Sequence, residues 1–308
     1  MSTIRELACS DGKSVWYRVW IPEERQIDGV LLILHGMAEH SLRYTRFAEF
    51  LTTKGFAVYA PDHRGHGETA VRSAETLGWF AEREGWQRVV SDAHELTNVI
   101  LSEFPRKPLF LLGHSMGSFL ARSLMVQHSD VFDGIIIMGT GGSQGLLGKV
   151  GKLLARSHVA KHGSKYPDEL LNKMSFGSYN KKITNPETPF DWLSHDKDEV
   201  KQYIEDPLCG FVCTAKFFED LLDGVEMANN RQLAEKLPAD LSLLIISGAE
   251  DPVGAYGKAV QKVHDLYRGC SISDLTLSLV PEARHELLQE TSRLATMKYL
   301  YTWMKQRI

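Results

Sequence analysis

Six short apolar runs frame this chain: GVLLIL (29–34), FAVYA (56–60), PLFLL (108–112), GIIIM (134–138), LSLLIIS (241–247) and LTLSLV (275–280). A strand that is apolar at nearly every position has both faces covered, as in a sheet packed between helices. An earlier run, SVWYRVWI (14–21), alternates instead, as a half-covered strand does. Between the runs, Arg43–Lys54, Trp86–Phe104, Met116–His128 and Tyr256–Tyr267 read as helices. Near the C-terminus Leu287, Leu294, Met297, Tyr301 and Met304 fall on one helical face that should pack on the sheet. Strand and helix alternate, which predicts an α/β fold with a doubly wound, mostly parallel sheet.

The alternation breaks after GIIIM. From 142 to 235 there are helical fragments and polar turns such as NPETP, without a convincing buried strand. A gap of that length cannot be a structureless loop in a compact domain. It predicts a helical cap at 142–235, inserted into a core made of 1–141 and 236–308. No internal repeat or low-complexity tract interrupts the chain.

The 308 residues are 43% hydrophobic and 24% charged, with a net charge of −4. A broadly basic, nucleic-acid-seeking surface is not expected from that balance. The start, MSTIREL, has no apolar segment of signal-peptide type, and no apolar run is long enough to span a bilayer. Four cysteines, Cys9, Cys209, Cys213 and Cys270, do not make a disulfide framework in a chain this long. A cytoplasmic protein with reduced thiols, and no evident obligate protein partner, is the expectation.

Chemistry concentrates where PLFLL runs into Gly113-His114-Ser115-Met116-Gly117. This is G-x-S-x-G between a strand and a helix, the context that gives the motif meaning. Glycines two residues either side permit a turn sharp enough to lift the serine hydroxyl above the sheet. The following helix offers its positive end where an oxyanion would form. A serine hydroxyl needs a base, and the base an orienting acid. In this fold class they follow in the order Ser, Asp or Glu, His, each after a later strand. Asp251 follows LSLLIIS in a turn with Gly248, Pro252 and Gly254; His285 follows LTLSLV. Glu250 is the rival acid, and Asp251 is preferred as the shorter carboxylate in the stiffer turn. Backbone N–H groups of Met116 and Met37, the latter in the turn after GVLLIL, are the candidate oxyanion donors.

HGMAEHSLRY, DHRGHGET, GHSMGS, AEDPVG and ARHELL together resemble the monoacylglycerol lipase and lysophospholipase branch of the serine α/β-hydrolases, over nearly the whole chain. WLSHD and DPLCGF extend the likeness into the cap. The resemblance implies an α/β-hydrolase fold, with Ser115 as nucleophile, Asp251 as acid, His285 as base and Met37 and Met116 as oxyanion donors. The implied activity is hydrolysis of single-acyl esters such as a monoacylglycerol or lysophospholipid, through an acyl-enzyme and without a cofactor. Met37 and Ala38 depart from the small residue and glycine found in many members, and Thr69 from the usual serine.

Two other readings keep the same residues. A proline-type aminopeptidase would need cap carboxylates to hold a free amine, and Asp191, Asp196, Asp198 and Glu199 are the candidates. A non-catalytic ligand-binding relative would usually lack a triad member. No metal is expected: His35/His40 and His63/His66 form no HExxH and lie near no cysteine pair. In GLLGKVGKLLARSHVAKHG, Leu146, Leu147, Val150, Leu153 and Leu154 share one face with basic residues elsewhere. A cap helix burying that face over the pocket is the simpler reading, and peripheral contact with anionic lipid the other. Gly145, Gly148 and Gly151 weaken the segment, which predicts a mobile lid at 145–155.

Overall fold

The structure, a computed structural model, describes residues 2–23 and 26–308. Among the described residues eight strands form one sheet: β1 (Thr3–Ala8), β2 (Ser14–Trp20), β3 (Gly29–Leu34), β4 (Phe56–Pro61), β5 (Leu109–His114), β6 (Gly134–Met138), β7 (Leu243–Gly248) and β8 (Leu275–Val280). Their order is β1-β2-β4-β3-β5-β6-β7-β8. β1 pairs antiparallel with β2 and β2 with β4, and every other pairing is parallel. The chain runs outward from β3 to β4 and then back across it to β5. The order therefore reverses beside β3, the place where open α/β sheets bind ligands beyond their carboxyl ends.

Alternate side chains of each strand enter two apolar layers. On β5, Leu109 and Leu111 join one layer while Phe110 and Leu112 join the other. The first layer lies under α3 (Gly85–Glu103), α4 (Met116–His128) and α10 (Lys258–Arg268); the second lies under α1 (Thr45–Thr52) and α11 (Arg293–Lys305), and the short α2 (Gly67–Arg72) follows β4. All six apolar runs are strands, β3 to β8. The alternating run is β2.

Four details differ from the expectation. β1 was not anticipated, because TIRELA shows little apolar alternation and sits at the sheet edge. β8 is only half-buried, being the opposite edge. The segment from Arg43 begins as a 3-10 turn, Ser41–Tyr44, before α1. Leu294 is exposed in the first turn of α11, and the buried Leu287 precedes that helix.

Between β6 and β7 the chain is helical, with α5 (Gly145–His162), α6 (Glu169–Phe176), α7 (Lys197–Glu205), α8 (Ala215–Ala228) and α9 (Arg231–Ala234). Asp168, Asp196 and Thr214 accept backbone N–H bonds at the starts of α6, α7 and α8, supplying partners the helix cannot supply itself. α8 packs on α3 and α4, and α5 packs on α8. Arg122 of α4, fully buried, donates to Tyr267 Oη, the Gly141 and Ala228 carbonyls and Asn229 Oδ1. That buried cation has an acceptor on each surrounding element, which binds the inserted segment to the sheet layer.

The expected burial of the α5 face is not what the fold contains. Leu146, Leu147, Val150 and Leu153 are 77%, 79%, 55% and 69% exposed. The next stripe, Leu154, Ala155 and Val159, packs inward instead. α5 lies against the outer side of α8, where Lys152 pairs with Asp223 and Arg156 with Glu219. An amphipathic pattern fixes that one face is apolar; which face a neighbour covers depends on the path of the chain.

Candidate active site

Ser115 stands between β5 and α4 with φ +53° and ψ −118°, a backbone region costing about 1–3 kcal/mol for a residue with a side chain. The surroundings hold it there. Its N–H donates to the Met138 carbonyl (2.9 Å), and Ser118 Oγ donates to its carbonyl (2.5 Å). The two flanking glycines are dictated by close approach. A Cβ on Gly113 would overlap the Gly117 carbonyl and stand 2.7 Å from Ala121 Cβ. A Cβ on Gly117 would overlap the Leu34 carbonyl oxygen and stand 2.7 Å from that of His35.

Asp251 follows β7 and is wholly buried; His285 follows β8 and is 2% exposed. The His285 Nδ1–H donates to Asp251 Oδ2 across 3.0 Å. Ser247 Oγ donates to the same oxygen (3.0 Å), and the Val253 N–H to Oδ1 (2.8 Å). Burial alone would push the Asp251 carboxyl up, but the charge of His285 and these hydrogen bonds outweigh it and hold it below the ordinary value. Burial would likewise disfavour charge on His285, yet Asp251 reverses this and the imidazole is raised above its usual value. Glu250, one residue earlier, is turned outward and pairs with His195 Nε2 at 3.2 Å.

The turn after β3 completes the group. Gly36 lies against the serine, since a Cβ there would be 3.2 Å from Ser115 Cβ. Met37 follows it, and Met116 is the first residue of α4. Ala38 has φ +51°, the left-handed region that favours glycine; here alanine occupies it. Thr69 keeps the hydroxyl function of a serine, accepting from the Trp16 N–H and donating to the Asp62 carbonyl.

Ser115, His285, Met37 and Ala38 open on a cavity of about 350 Å³. Phe176, Phe190, Trp192, Leu193, Tyr203 and Phe211 wall it, with Glu169, Asn172 and Lys173 of α6 also lining it. No residue of α5 lines this cavity, so the expected lid at 145–155 does not cover it. The wall comes instead from α6 and from 189–211, the latter bound to both site loops. His285 and Glu286 donate their N–H groups to the Trp192 and Leu193 carbonyls, and Gly210 donates to the Ala38 carbonyl. The Trp192 ring lies 5.1 Å from that of His285, a contact the WLSHD motif contained without revealing.

The four acidic residues considered for amine binding do not line the cavity. Asp191 accepts from the Glu187 N–H and from Thr188 Oγ1. Asp196 caps α7 and pairs with Arg293; Glu199 pairs with Arg46; Asp198 is exposed. The DHRGHG histidines shape loops. The His63 N–H donates to His35 Nε2, and His66 Nδ1–H donates to the Arg64 carbonyl. Burial drives both off their charged forms, His66 to about 3. Among the described residues, the one group with metal-ligand spacing is His40, Asp206 and Cys209, whose donor atoms lie within 4.8 Å of one another. There His40 Nε2 and Asp206 Oδ2 are hydrogen-bonded to each other at 2.8 Å.

Comparison with known proteins gives a consistent picture. The rat monoglyceride lipase is 26% identical over 314 residues, covering 98% of this chain and 90% of the relative. The monoacylglycerol lipase of Mycolicibacterium smegmatis is 25% identical, covering 95% and 93%. A thermostable carboxyl esterase from Bacillus coagulans superposes with a TM-score of 0.91 at 26% identity, over 99% of this chain and 98% of its own. A soluble variant of the Saccharomyces cerevisiae monoglyceride lipase shares the fold, with a TM-score of 0.77 at 20% identity, over 98% and 94%. The family model for serine aminopeptidase, S33 (Hydrolase_4) matches residues 25–292. The anticipated likeness to the monoacylglycerol lipase branch is thus borne out, and the chain belongs to the Hydrolase_4 family of α/β-hydrolases.

Proposed function

We propose that the protein is a serine carboxylic ester hydrolase for lipid-like esters with a single acyl chain, of the monoacylglycerol or lysophospholipid kind. One observation carries this reading: a strained serine and a buried, carboxylate-bonded histidine share one aromatic-walled cavity. The relatives named for monoglyceride hydrolysis support the substrate class. A volume of about 350 Å³ is at the small end of ligand pockets and suits one acyl chain.

In this reading Ser115 Oγ attacks the ester carbonyl while His285 Nε2 takes its proton. Asp251 holds Nδ1–H and stabilises the imidazolium. The N–H groups of Met37 and Met116 bind the oxyanion at the positive end of α4. His285 returns the proton to the leaving alcohol, then activates water to release the acid from the Ser115 acyl-enzyme. No step needs a cofactor. Residues 142–235 act as the cap, with α6 and 189–211 forming the acyl wall. The exposed apolar stripe of α5, with Lys149 and Lys161 beside it, lies on anionic lipid and brings the cavity to its substrate. All four cysteines are free thiols, which supports a reducing, cytoplasmic setting; among the described residues no helix is long and apolar enough to cross a membrane.

The test is turnover of purified protein on esters from acetyl to oleoyl, with monoacylglycerol, lysophosphatidylcholine and proline amides alongside, compared with Ser115→Ala. Ser115-dependent cleavage of long-chain monoacylglycerol is expected. Preference for the proline amides would establish the peptidase reading instead.

A further inference from the structure

We propose that Glu39 is a positioning residue that holds the oxyanion turn, the serine and the base in register with one another. The proposal rests on the reading of Ser115, His285 and Met37 given above, in which Glu39 has no part.

Glu39 is 3% exposed and faces four donors. Its Oε1 accepts from the Gly36 N–H (2.6 Å) and Tyr44 Oη–H (2.9 Å), and lies 3.2 Å from His114 Nδ1. Its Oε2 accepts from Arg43 Nη1 at 2.9 Å. Arg43 in turn holds Glu286 through two bonds, Nη1 to Oε1 (2.5 Å) and Nη2 to Oε2 (2.8 Å). Gly36, His114 and Glu286 are each one residue away from a group of the proposed chemistry: Met37, Ser115 and His285. One carboxylate thus touches, directly or through one guanidinium, the three loops that must agree in position.

The geometry at Gly36 shows why a carboxylate is needed. The Gly36 N–H is taken up by Glu39, which lines the cavity beside it, and a Cβ on Gly36 would stand 2.7 Å from Oε1 and 3.2 Å from Ser115 Cβ. That bond fixes the peptide immediately before the one that carries the Met37 N–H. Burial alone would push the Glu39 carboxyl up, but His114 and Arg43 hold it well below the ordinary carboxylate value, so it is an anion and acceptor-only. An amide of the same shape could accept from Gly36 but would set an N–H₂ against Arg43. A preorganised oxyanion donor is effective only while its direction is fixed.

A positioning role predicts a loss that follows the tetrahedral state and spares ground-state binding. The experiment compares wild type, Glu39→Gln and Ser115→Ala on a short-chain ester, with active sites counted by fluorophosphonate labelling and folding checked by circular dichroism. A phenyl boronate, which adds reversibly to a serine oxygen and leaves a boron-bound oxygen in the oxyanion site, is the second readout. Glu39→Gln is expected to lower kcat about tenfold to a hundredfold, less than loss of a whole oxyanion donor. KM should change less than about threefold, and boronate affinity should fall in step with kcat/KM. Should Glu39→Gln not fold, Tyr44→Phe, which removes a donor aiming the same oxygen, is expected to lower kcat and boronate affinity together by severalfold. Unchanged kcat, or a fall in kcat with boronate affinity intact, overturns the proposal. Activity and boronate binding that persist in Ser115→Ala would instead overturn the reading of the serine, which separates the two failures.

Discussion

Replacing Gly117 by alanine probes the closest backbone approach in the site. The new methyl would overlap the Leu34 carbonyl oxygen at the end of β3 and come within 2.7 Å of the His35 carbonyl oxygen. Both are backbone atoms of a buried strand end, so neither can rotate away as a side chain would. Overpacking a well-packed site costs about 1–3 kcal/mol, and rigid backbone neighbours place this case near the top of that range. Alanine returns up to about 1 kcal/mol through its helix propensity, leaving a net loss of about 2 kcal/mol. For a domain of this size that lowers the melting temperature by roughly 4 °C. The activity loss should be the larger signal, because relief requires the start of α4, Met116 with Ser115 just before it, to move away from the turn bearing Met37. A shift of a few tenths of an ångström there should reduce kcat/KM more than about tenfold. Thermal unfolding by circular dichroism and ester turnover per fluorophosphonate-labelled site measure the two effects. A variant that melts at or above the wild-type temperature with full turnover would refute the idea that α4 is pressed onto β3 to form the site.

Four further outcomes follow from the same geometry. Asp251 raises the His285 value above its ordinary 6.5 or so, and only neutral imidazole can accept the serine proton. The rise of kcat/KM with pH should therefore be centred above that value; a midpoint below it, or a loss with chelator that zinc restores, would contradict the site described. Stability follows the same shifts: the Asp251 contribution is present above about pH 3.9 and lost as pH falls through its lowered folded value, and that of His285 is present below about pH 6.5 and lost as pH rises through its raised one. Asp251→Asn should lower kcat by about 10³–10⁴ while Glu250→Gln stays within about twofold, and the reverse ranking would move the acid to Glu250. Leu146→Ser, Leu147→Ser and Val150→Ser combined should weaken sedimentation with phosphatidylglycerol vesicles and leave acetyl-ester turnover unchanged; undiminished sedimentation would remove α5 as the lipid contact.

Local signals were legible in the sequence wherever neighbours in the chain decide the outcome. Met116–His128 forms the helix read there, residue for residue, and GVLLIL, GIIIM and LTLSLV are the strands read there. The G-H-S-M-G turn could be recognised because its glycines are needed within five residues of the serine. The order of Ser115, Asp251 and His285 was legible because each lies at the end of a strand whose apolar pattern is strong.

Other features depend on which distant residues meet. TIRELA pairs as β1 through main-chain bonds to β2, which an apolar pattern does not encode. LTLSLV reads as a buried strand but sits at an edge, since hydropathy does not report a strand's place in the sheet. Glu250 and Asp251 are neighbours in the chain, yet one faces His195 and the other His285. The Glu39, Arg43 and Glu286 clamp closes over a separation of 243 residues between Arg43 and Glu286. Glu39 and Arg43 stand i, i+4 and were visible inside HGMAEHSLRY, and Glu286 inside ARHELL, but nothing local says that they touch. The outward face of α5 is of the same kind, because amphipathicity names a face and only the packed neighbours determine whether it is covered. Short-range sterics and hydrogen bonding are written in adjacent residues. Long-range pairing is decided when the sheet closes and brings the ends of β3, β5, β7 and β8 to one edge.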